Sequence, residues 1–160
     1  MIPKFVDNAE MYGKGKGYLP WGNYSDILFY NTKTDQAKKL FNGQLMLIQP
    51  FSSISYHAGS PKEVIPPNFL PNHIIYLARV ENYSGDNALD NDDPLYLFIS
   101  TKTGEGLKQI TPKGLNVVSW TASRNKEMIL VKVQNDKNGN KKFGNGDEEL
   151  FYRLDLNTDI

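Results

Sequence analysis

Residues 128–156 read MILVKVQNDKNGNKKFGNGDEELFYRLDL, and this stretch decides the fold class. Apolar residues alternate with polar ones at both of its ends. One face of the first run carries Ile129, Val131 and Val133, and one face of the second carries Leu150, Tyr152, Leu154 and Leu156. A period of two is the signature of a strand with one buried face. The stretch therefore predicts two β-strands joined by a long polar loop.

The same arrangement occurs a second time, 54 residues earlier in the chain. Residues 82–93 (NYSGDNALDNDD) align with residues 136–147 (DKNGNKKFGNGD), and an apolar run lies on each side of both loops. Residues 28–35 (LFYNTKTD) also resemble residues 97–104 (LFISTKTG). Self-similarity at a fixed spacing is typical of repeated supersecondary units. We expect one β domain over residues 1–160, with an N-terminal arm (1–23) and two repeat-like units (24–111 and 112–160).

Further strands follow from the same patterns. Residues 95–99 and 27–30 are apolar on both faces, as in buried central strands. Residues 35–41 are predicted to form the second strand of a hairpin. Asp35 and Gly104, which end the matching TKTD and TKTG segments, both tolerate the positive φ of a tight turn. Shared faces are predicted for two further sets: Ile74, Tyr76, Ala78 and Val80, and Val118, Trp120 and Ala122.

This strand order, with its hairpin turns and an Ile-Thr-Pro ending at residues 110–112, resembles the bacterial TolB-type β-propeller repeat. The resemblance implies an all-β fold of antiparallel, four-stranded, blade-like meander sheets. With the strands of a blade labelled A to D, the chain supplies C-D, then A-B-C-D, then A-B-C. We expect about two blades plus an N-terminal hairpin, which is not a complete propeller, since closure typically takes about four to eight blades.

Both loops carry oxygen-bearing side chains at the spacing of a calcium loop. Such a loop takes ligands from positions 1, 3, 5, 9 and 12 and from the carbonyl of position 7. Loop 1, defined as residues 82–93, offers Asn82, Ser84, Asp86, Asp90 and Asp93. Loop 2, defined as residues 136–147, offers Asp136, Asn138, Asn140 and Asp147. The pattern resembles an EF-hand or dockerin-type loop, and the resemblance implies Ca²⁺ as a structural cofactor.

Position 6 departs from that pattern, because Asn87 and Lys141 stand where the sharp turn favours Gly. Asn enters the left-handed conformation at small cost, whereas Lys does so less readily. Loop 2 also places Lys141 and Lys142 beside only two ligand carboxylates. We therefore expect loop 1 to be the stronger ion site. The alternative interpretation is a pair of polar Asx-turn loops that hold no metal.

A glycine-rich aromatic segment, YGKGKGYLPWGNY at residues 12–24, is the second candidate binding feature. It is not a phosphate-binding P-loop, because no Gly-Lys-Ser/Thr ends it. Tyr18, Trp21 and Tyr24 are candidate residues for stacking on a sugar or an apolar peptide. The alternative is that these side chains pack the N-terminal arm onto the sheet.

Composition excludes several classes of function. Lys plus Arg and Asp plus Glu both total 18, so the zero net charge argues against nucleic-acid binding. The absence of Cys and the presence of two His exclude disulfides and sites built on thiolates or several imidazoles. No apolar run is long enough to predict membrane insertion. Localisation stays open, with a preference for the periplasm or the exterior because weak calcium loops suit calcium-rich surroundings.

Catalysis is not predicted. His57 and Ser60 lack the strand-turn-helix context of a nucleophile elbow, and His73 heads a strand. The carboxylates of loop 1 are explained more simply by ion binding than by acid–base chemistry. We expect a non-catalytic structural or protein-interaction module whose partner is another protein or a second copy, with no substrate indicated. The alternatives are a carbohydrate-binding or glycan-hydrolysing module and a fragment of a larger propeller.

Overall fold

Antiparallel β-strands make up the architecture. The structure is a computed structural model that describes residues 2–5, 24–41, 46–51, 70, 72–123 and 128–157. The described residues form β1 (Ile2–Phe5), β2 (Tyr24–Asn31), β3 (Gln36–Lys39), β4 (Met46–Phe51), β5 (His73–Arg79), β6 (Tyr96–Thr101), β7 (Lys108–Gln109), β8 (Leu115–Ser123), β9 (Met128–Asn135) and β10 (Glu148–Asp155). The predicted all-β class is confirmed. Among these residues there is no helix with the length and apolar character needed to cross a membrane.

The strands pair into two sheets. In the larger sheet the order is β1-β2-β4-β5-β6-β7, and β3 pairs with β2. In the smaller sheet the order is β10-β9-β8. Every pair is antiparallel, and β4 to β7 follow one another as neighbours in chain order. Such a meander keeps each connection local and leaves the loops at the strand ends.

Two hairpin turns confirm the reading of the matching TKTD and TKTG segments. Asp35, between β2 and β3, has a φ of 57°, and Gly104, between β6 and β7, has a φ of 76°. The second turn is closed by the Gly104 N–H, which donates to the carbonyl of Thr101 at 3.0 Å. A positive φ at the end of a short turn returns the chain for antiparallel pairing, and Asp and Gly are residues that accept it.

Strands β5 and β6 lie between two apolar cores and contribute side chains to both. On one side Ile74, Tyr76 and Phe98 pack with residues of the β2–β3 hairpin and its exit, including Ile27 and Phe41. We call this group of residues the first core. On the other side, the second core joins three β5 and β6 residues to the smaller sheet: Ile75, Leu97, Ile99, Val117, Ala122, Ile129, Val131 and Val133. Residues 96–99 are all buried, which confirms the prediction of a central strand there.

Asp26 and Tyr76 bury polar groups beside the first core, and each has a hydrogen-bond partner. Asp26 is buried, and its Oδ1 accepts from the Ile27 and Phe41 N–H groups at 2.7 and 3.0 Å. The Tyr76 hydroxyl lies 2.7 Å from Ser100 Oγ. These bonds offset the cost of removing the polar atoms from water.

Tyrosine burial makes the fold sensitive to alkali. Burial raises the pKa of both Tyr76 and Tyr96 to about 12, from an ordinary value of 10.0. The unfolded chain loses these protons near pH 10 while the folded chain keeps them, so the free energy of unfolding falls as pH rises from about 10 to about 12. Denaturant titrations across that window should show the fall, and Tyr76→Phe should reduce it. The half-exposed Tyr30 supplies the control, since a Tyr30→Phe variant that changed the slope equally would contradict the assignment.

Two predicted faces are wrong in part. Val118 was expected to share a buried face with Trp120 and Ala122, but its side chain is 45% exposed and Val117 is buried instead. A bulge between Val117 and Ser119 shifts the register of β8 by one residue, which turns the preceding side chains to the other face. In β2, Ile27 is buried and Phe29 packs against the first core, while Tyr30 lies on the opposite face of the strand and is 48% exposed.

Candidate calcium loops

Loops 1 and 2 occupy equivalent places in their sheets. Loop 1 follows β5 and leads into β6, and loop 2 follows β9 and leads into β10. In both cases the strands on either side of the loop pair with each other, so the loop closes a long antiparallel connection. The repeat that is visible in the sequence is therefore a repeat of strand, loop and strand.

The two loop backbones share a positive φ at positions 4 and 6. At position 4 the φ angles are 81° for Gly85 and 71° for Gly139. At position 6 they are 68° for Asn87 and 60° for Lys141. A left-handed Lys is uncommon and occurs only where the surrounding contacts hold it. Both loops thus adopt the position 6 conformation that a calcium loop requires, although neither has Gly there.

Side-chain oxygens of loop 1 are held by its own backbone. Asn82 Oδ1 accepts from the Gly85 N–H at 2.6 Å, and Asp86 Oδ1 accepts from the Ala88 N–H at 2.9 Å. Asp90 Oδ1 accepts from the Asp92 N–H at 2.9 Å. These Asx-type bonds bend the chain so that positions 1, 5 and 9 have defined orientations.

Asp93 organises loop 1 from its last position. Its side chain is 1% exposed, and its Oδ1 accepts from the Tyr83 and Ser84 N–H groups at 2.8 and 3.1 Å. Its Oδ2 accepts from the Asp90 N–H at 3.0 Å. One carboxylate therefore joins the beginning, the middle and the end of the loop.

A buried arginine lies against the end of loop 1. Arg79 is 7% exposed, and its Nε donates to the Asp93 carbonyl at 2.9 Å. Burial lowers the pKa of Arg79, while the negative charges of Asp93 and Asp90 act in the opposite direction. The charge balance of loop 1 thus includes one cation supplied by β5.

Loop 2 has corresponding bonds. Asp136 Oδ1 and Oδ2 accept from the Asn140 and Lys141 N–H groups at 3.1 and 2.9 Å. Asn140 Oδ1 accepts from the Lys142 N–H at 2.8 Å, as Asp86 does at position 5 of loop 1. Asp147 Oδ2 accepts from the Gly144 N–H at 2.9 Å, as Asp93 does at position 12. The two loops therefore share a spacing of residues and the side-chain bonds at positions 5 and 12, but they differ at position 1, where Asn82 accepts from position 4 and Asp136 accepts from positions 5 and 6.

The loops also contact each other. The rings of Tyr83 and Phe143 lie with centroids 5.4 Å apart, and the Tyr83 hydroxyl donates to Asp136 Oδ2 at 3.2 Å. Desolvation raises the pKa of Tyr83, and its bond to the Asp136 carboxylate raises it further. Lys142 Nζ lies 3.5 Å from Asp92 Oδ2. The contact between the loops was not predicted from the sequence, although the equal place of each loop between two paired strands was a signal for it.

The chemistry open to this arrangement is cation binding by oxygen. Loop 1 has three ligand-position carboxylates and loop 2 has two, supplemented by Asn and Ser oxygens and main-chain carbonyls. Within the described ranges, no group of three or more His, Cys, Asp or Glu side chains is gathered so that it could hold a metal ion. An ion in either loop would therefore need the neutral oxygens as well as the carboxylates.

The other predicted site residues contribute no described geometry. Tyr18 and Trp21 lie outside the described residues, as do His57 and Ser60, and Tyr24 is described only as the first residue of β2. His73 begins β5 and is partly buried. The stacking site and its packing alternative therefore both stay predictions.

Comparison with known proteins adds no relative from which a role could be transferred. The chain matches no protein-family model, no curated protein and no solved structure.

Proposed function

We propose that this protein is a non-catalytic, β-propeller-like module that serves a structural or protein-interaction role and is stabilised by Ca²⁺ in loop 1, with loop 2 as a weaker site. The observation that carries the proposal is the shared conformation of the two loops, including the left-handed residue at position 6 of each. The protein partner and the periplasmic or extracellular setting belong to the same proposal.

Blade-like stacking is supported by how the strands meet. Strands β4 to β7 form a four-stranded meander, and β8 to β10 form a three-stranded one. The second core joins the face of β5 and β6 to the face of the smaller sheet, and the first core joins their other face to the β2–β3 hairpin. Meander sheets packed face to face in chain order are what successive propeller blades would provide.

Calcium in loop 1 is supported by charge as well as by conformation. Asp86, Asp90 and Asp93 stand at ligand positions, and Asp92 adjoins them. Asp86 and Asp90 each have one carboxylate oxygen bonded to a backbone N–H, which orients the other oxygen of the group. A bound divalent ion would relieve the mutual repulsion of these groups, and loop closure around it would accompany binding.

Loop 2 is the weaker member for electrostatic reasons. Its two ligand carboxylates, Asp136 and Asp147, lie in a segment that also holds Lys137, Lys141 and Lys142. Asp136 is further engaged by the Tyr83 hydroxyl. Loop 2 thus has one ligand carboxylate fewer than loop 1, and one of its two is already engaged, so its affinity should be lower than that of loop 1 even though Lys142 and Arg79 place positive charge beside loop 1.

Thermal unfolding in excess EDTA and then in millimolar calcium tests the proposal. A site held at about 100 times its dissociation constant adds about 2.7 kcal/mol of stability, which raises the Tm by several degrees in a domain of this size. Asp86→Asn should abolish most of the rise, because it removes a ligand charge while keeping an oxygen that can accept the Ala88 N–H.

The matched control is Asn140→Asp, which adds the missing charge at position 5 of loop 2. It should increase the calcium-dependent rise in Tm. Magnesium should give a much smaller rise than calcium, because it demands a tighter octahedral shell. A Tm that is the same in EDTA and in millimolar calcium would contradict the metal part of the proposal.

A further inference from the structure

Among the described residues, strand β10 is an edge strand of the smaller sheet. It runs over eight residues, Glu148–Asp155, and within the described part of the chain it pairs with β9 only. Its pairing with β9 is continuous, with no bulge, and its sequence contains no Pro. A long, regular edge strand presents backbone N–H and C=O groups that can pair with another strand.

The outer face of this edge carries an exposed aromatic residue. Phe151 is 77% exposed, and Leu130 on the adjoining strand is 44% exposed. Lys132 Nζ lies 6.0 Å from the Phe151 ring centroid and forms an ion pair with Glu149 at 2.7 Å. The Lys132 ion pair holds Glu149 beside Phe151 on the same face of the sheet.

We propose that β10 pairs antiparallel with β10 of a second copy, with Phe151 on the two-fold axis. In this register Phe151 faces Phe151 of the second copy. Glu149 faces Arg153 of the second copy, and by symmetry Arg153 faces Glu149 of the second copy. On the inner face Leu150 lies opposite Tyr152 of the second copy. Such an isologous contact is self-complementary in charge and joins two three-stranded sheets into one six-stranded sheet.

Other registers fit less well. A slip of one residue would place inner-face side chains opposite outer-face ones and would interrupt the second core. A slip of two residues in one direction places Glu149 opposite Asp155 of the second copy, which brings like charges together. A slip of two in the other direction places Phe151 opposite Glu149 of the second copy. Of these registers, only the one centred on Phe151 places the two aromatic rings opposite each other and also places opposite charges together.

Self-pairing deepens the proposed interaction role by naming the partner as a second copy of this chain. We expect it to be independent of calcium, because the paired residues 149–153 belong to β10 and to neither loop. Measurements of mass in EDTA therefore test the pairing by itself, and the calcium-dependent rise in Tm tests the metal site by itself.

Sedimentation over a range of protein concentrations in EDTA is the first test. We expect the mass to rise from 18.1 kDa toward twice that value as concentration increases. Phe151→Lys should weaken dimerisation by about tenfold or more, since it places like charges on the axis. Leu130→Thr is the control, because it alters an exposed residue of the same face on β9 without placing a new charge opposite Arg153. A mass that stays at the monomer value at all concentrations would overturn the proposal.

Cysteine cross-linking then tests the register, because the natural chain has no Cys. Directly opposed residues of antiparallel strands have Cα atoms about 4.5–5.5 Å apart, which suits a disulfide. Phe151→Cys should therefore form a covalent dimer under mild oxidation. Arg153→Cys should not, because its two copies would lie roughly 13 Å apart. Equal cross-linking of the two variants, or of Arg153→Cys alone, would rule out this register.

Discussion

Replacing Asp93 by alanine should lower the free energy of unfolding by about 3 kcal/mol, even in EDTA. The carboxylate is 1% exposed and accepts from the N–H groups of Tyr83, Ser84 and Asp90. Alanine would leave these donors without their acceptor, partly buried. Urea titration with and without the substitution measures the loss, and the corresponding fall in Tm is roughly 10 °C for a chain of this length.

The equivalent substitution in loop 2 is the control for Asp93→Ala. Asp147 stands at the same position but is less buried, and it engages the Gly144 N–H and the Asn138 side chain. Asp147→Ala should cost about 1 kcal/mol, because water can replace its bonds. Equal losses for the two variants would show that burial does not set the difference. A loss below about 1 kcal/mol for Asp93→Ala would contradict the organising role of that carboxylate.

Gly104→Ala is expected to destabilise the fold by about 3 kcal/mol through strain and a clash together. Gly104 has a φ of +76°, and a Cβ atom there would lie 2.7 Å from two ring carbons of Phe29. The ring packs against the first core, so its displacement would disturb the contact between the β2–β3 hairpin and the β6–β7 turn. Thermal and urea unfolding would measure the change.

Gly114→Ala separates strain from clash. Gly114 has the same φ of +76°, but a Cβ atom there would meet nothing within 4 Å. Its substitution should cost about 1 kcal/mol, the strain of a left-handed alanine alone. Adding Phe29→Leu to Gly104→Ala should recover part of the larger loss if the ring is its source. Strictly additive effects of those two changes would contradict the clash.

Alternation and turn chemistry were sufficient to predict much of the fold. The period of two predicted β9 and β10, and the doubly apolar run predicted β6, whose first five residues are buried. The TKTD and TKTG turns predicted hairpins because their last residues accept positive φ, which Asp35 and Gly104 adopt. These features depend on neighbours in the chain, so a single sequence contains the information that they need.

Features that depend on distant contacts were not predictable in the same way. The bulge that exposes Val118 has no marker such as a glycine at that point of β8. The exposure of Tyr30 depends on which face of β2 the first core covers. The bond from Tyr83 to Asp136 joins residues from two different loops, and the sequence indicates only that the loops are alike.

For the candidate site, the spacing of Asp and Asn residues predicts which side chains could be ligands, but it does not predict how tightly either loop would bind an ion. The Asx-type turns of the alternative interpretation are present, since Asp and Asn side chains bond to backbone N–H groups a few residues away. The left-handed Lys141 was not expected from its residue type, and it follows from the bonds that Asp136 and Asn140 make on either side of it. Affinity depends on the balance of Lys and Asp charges in three dimensions, which spacing does not contain.

The position of β5 and β6 between the two cores has a consequence for how the protein unfolds. Because the two cores share these strands, opening one core uncovers one face of the strands on which the other depends. The two cores should therefore unfold in a single cooperative transition. Limited proteolysis should likewise fail to release a stable fragment that contains only one of the cores, and amide exchange should be slowest in residues 74–78 and 96–99.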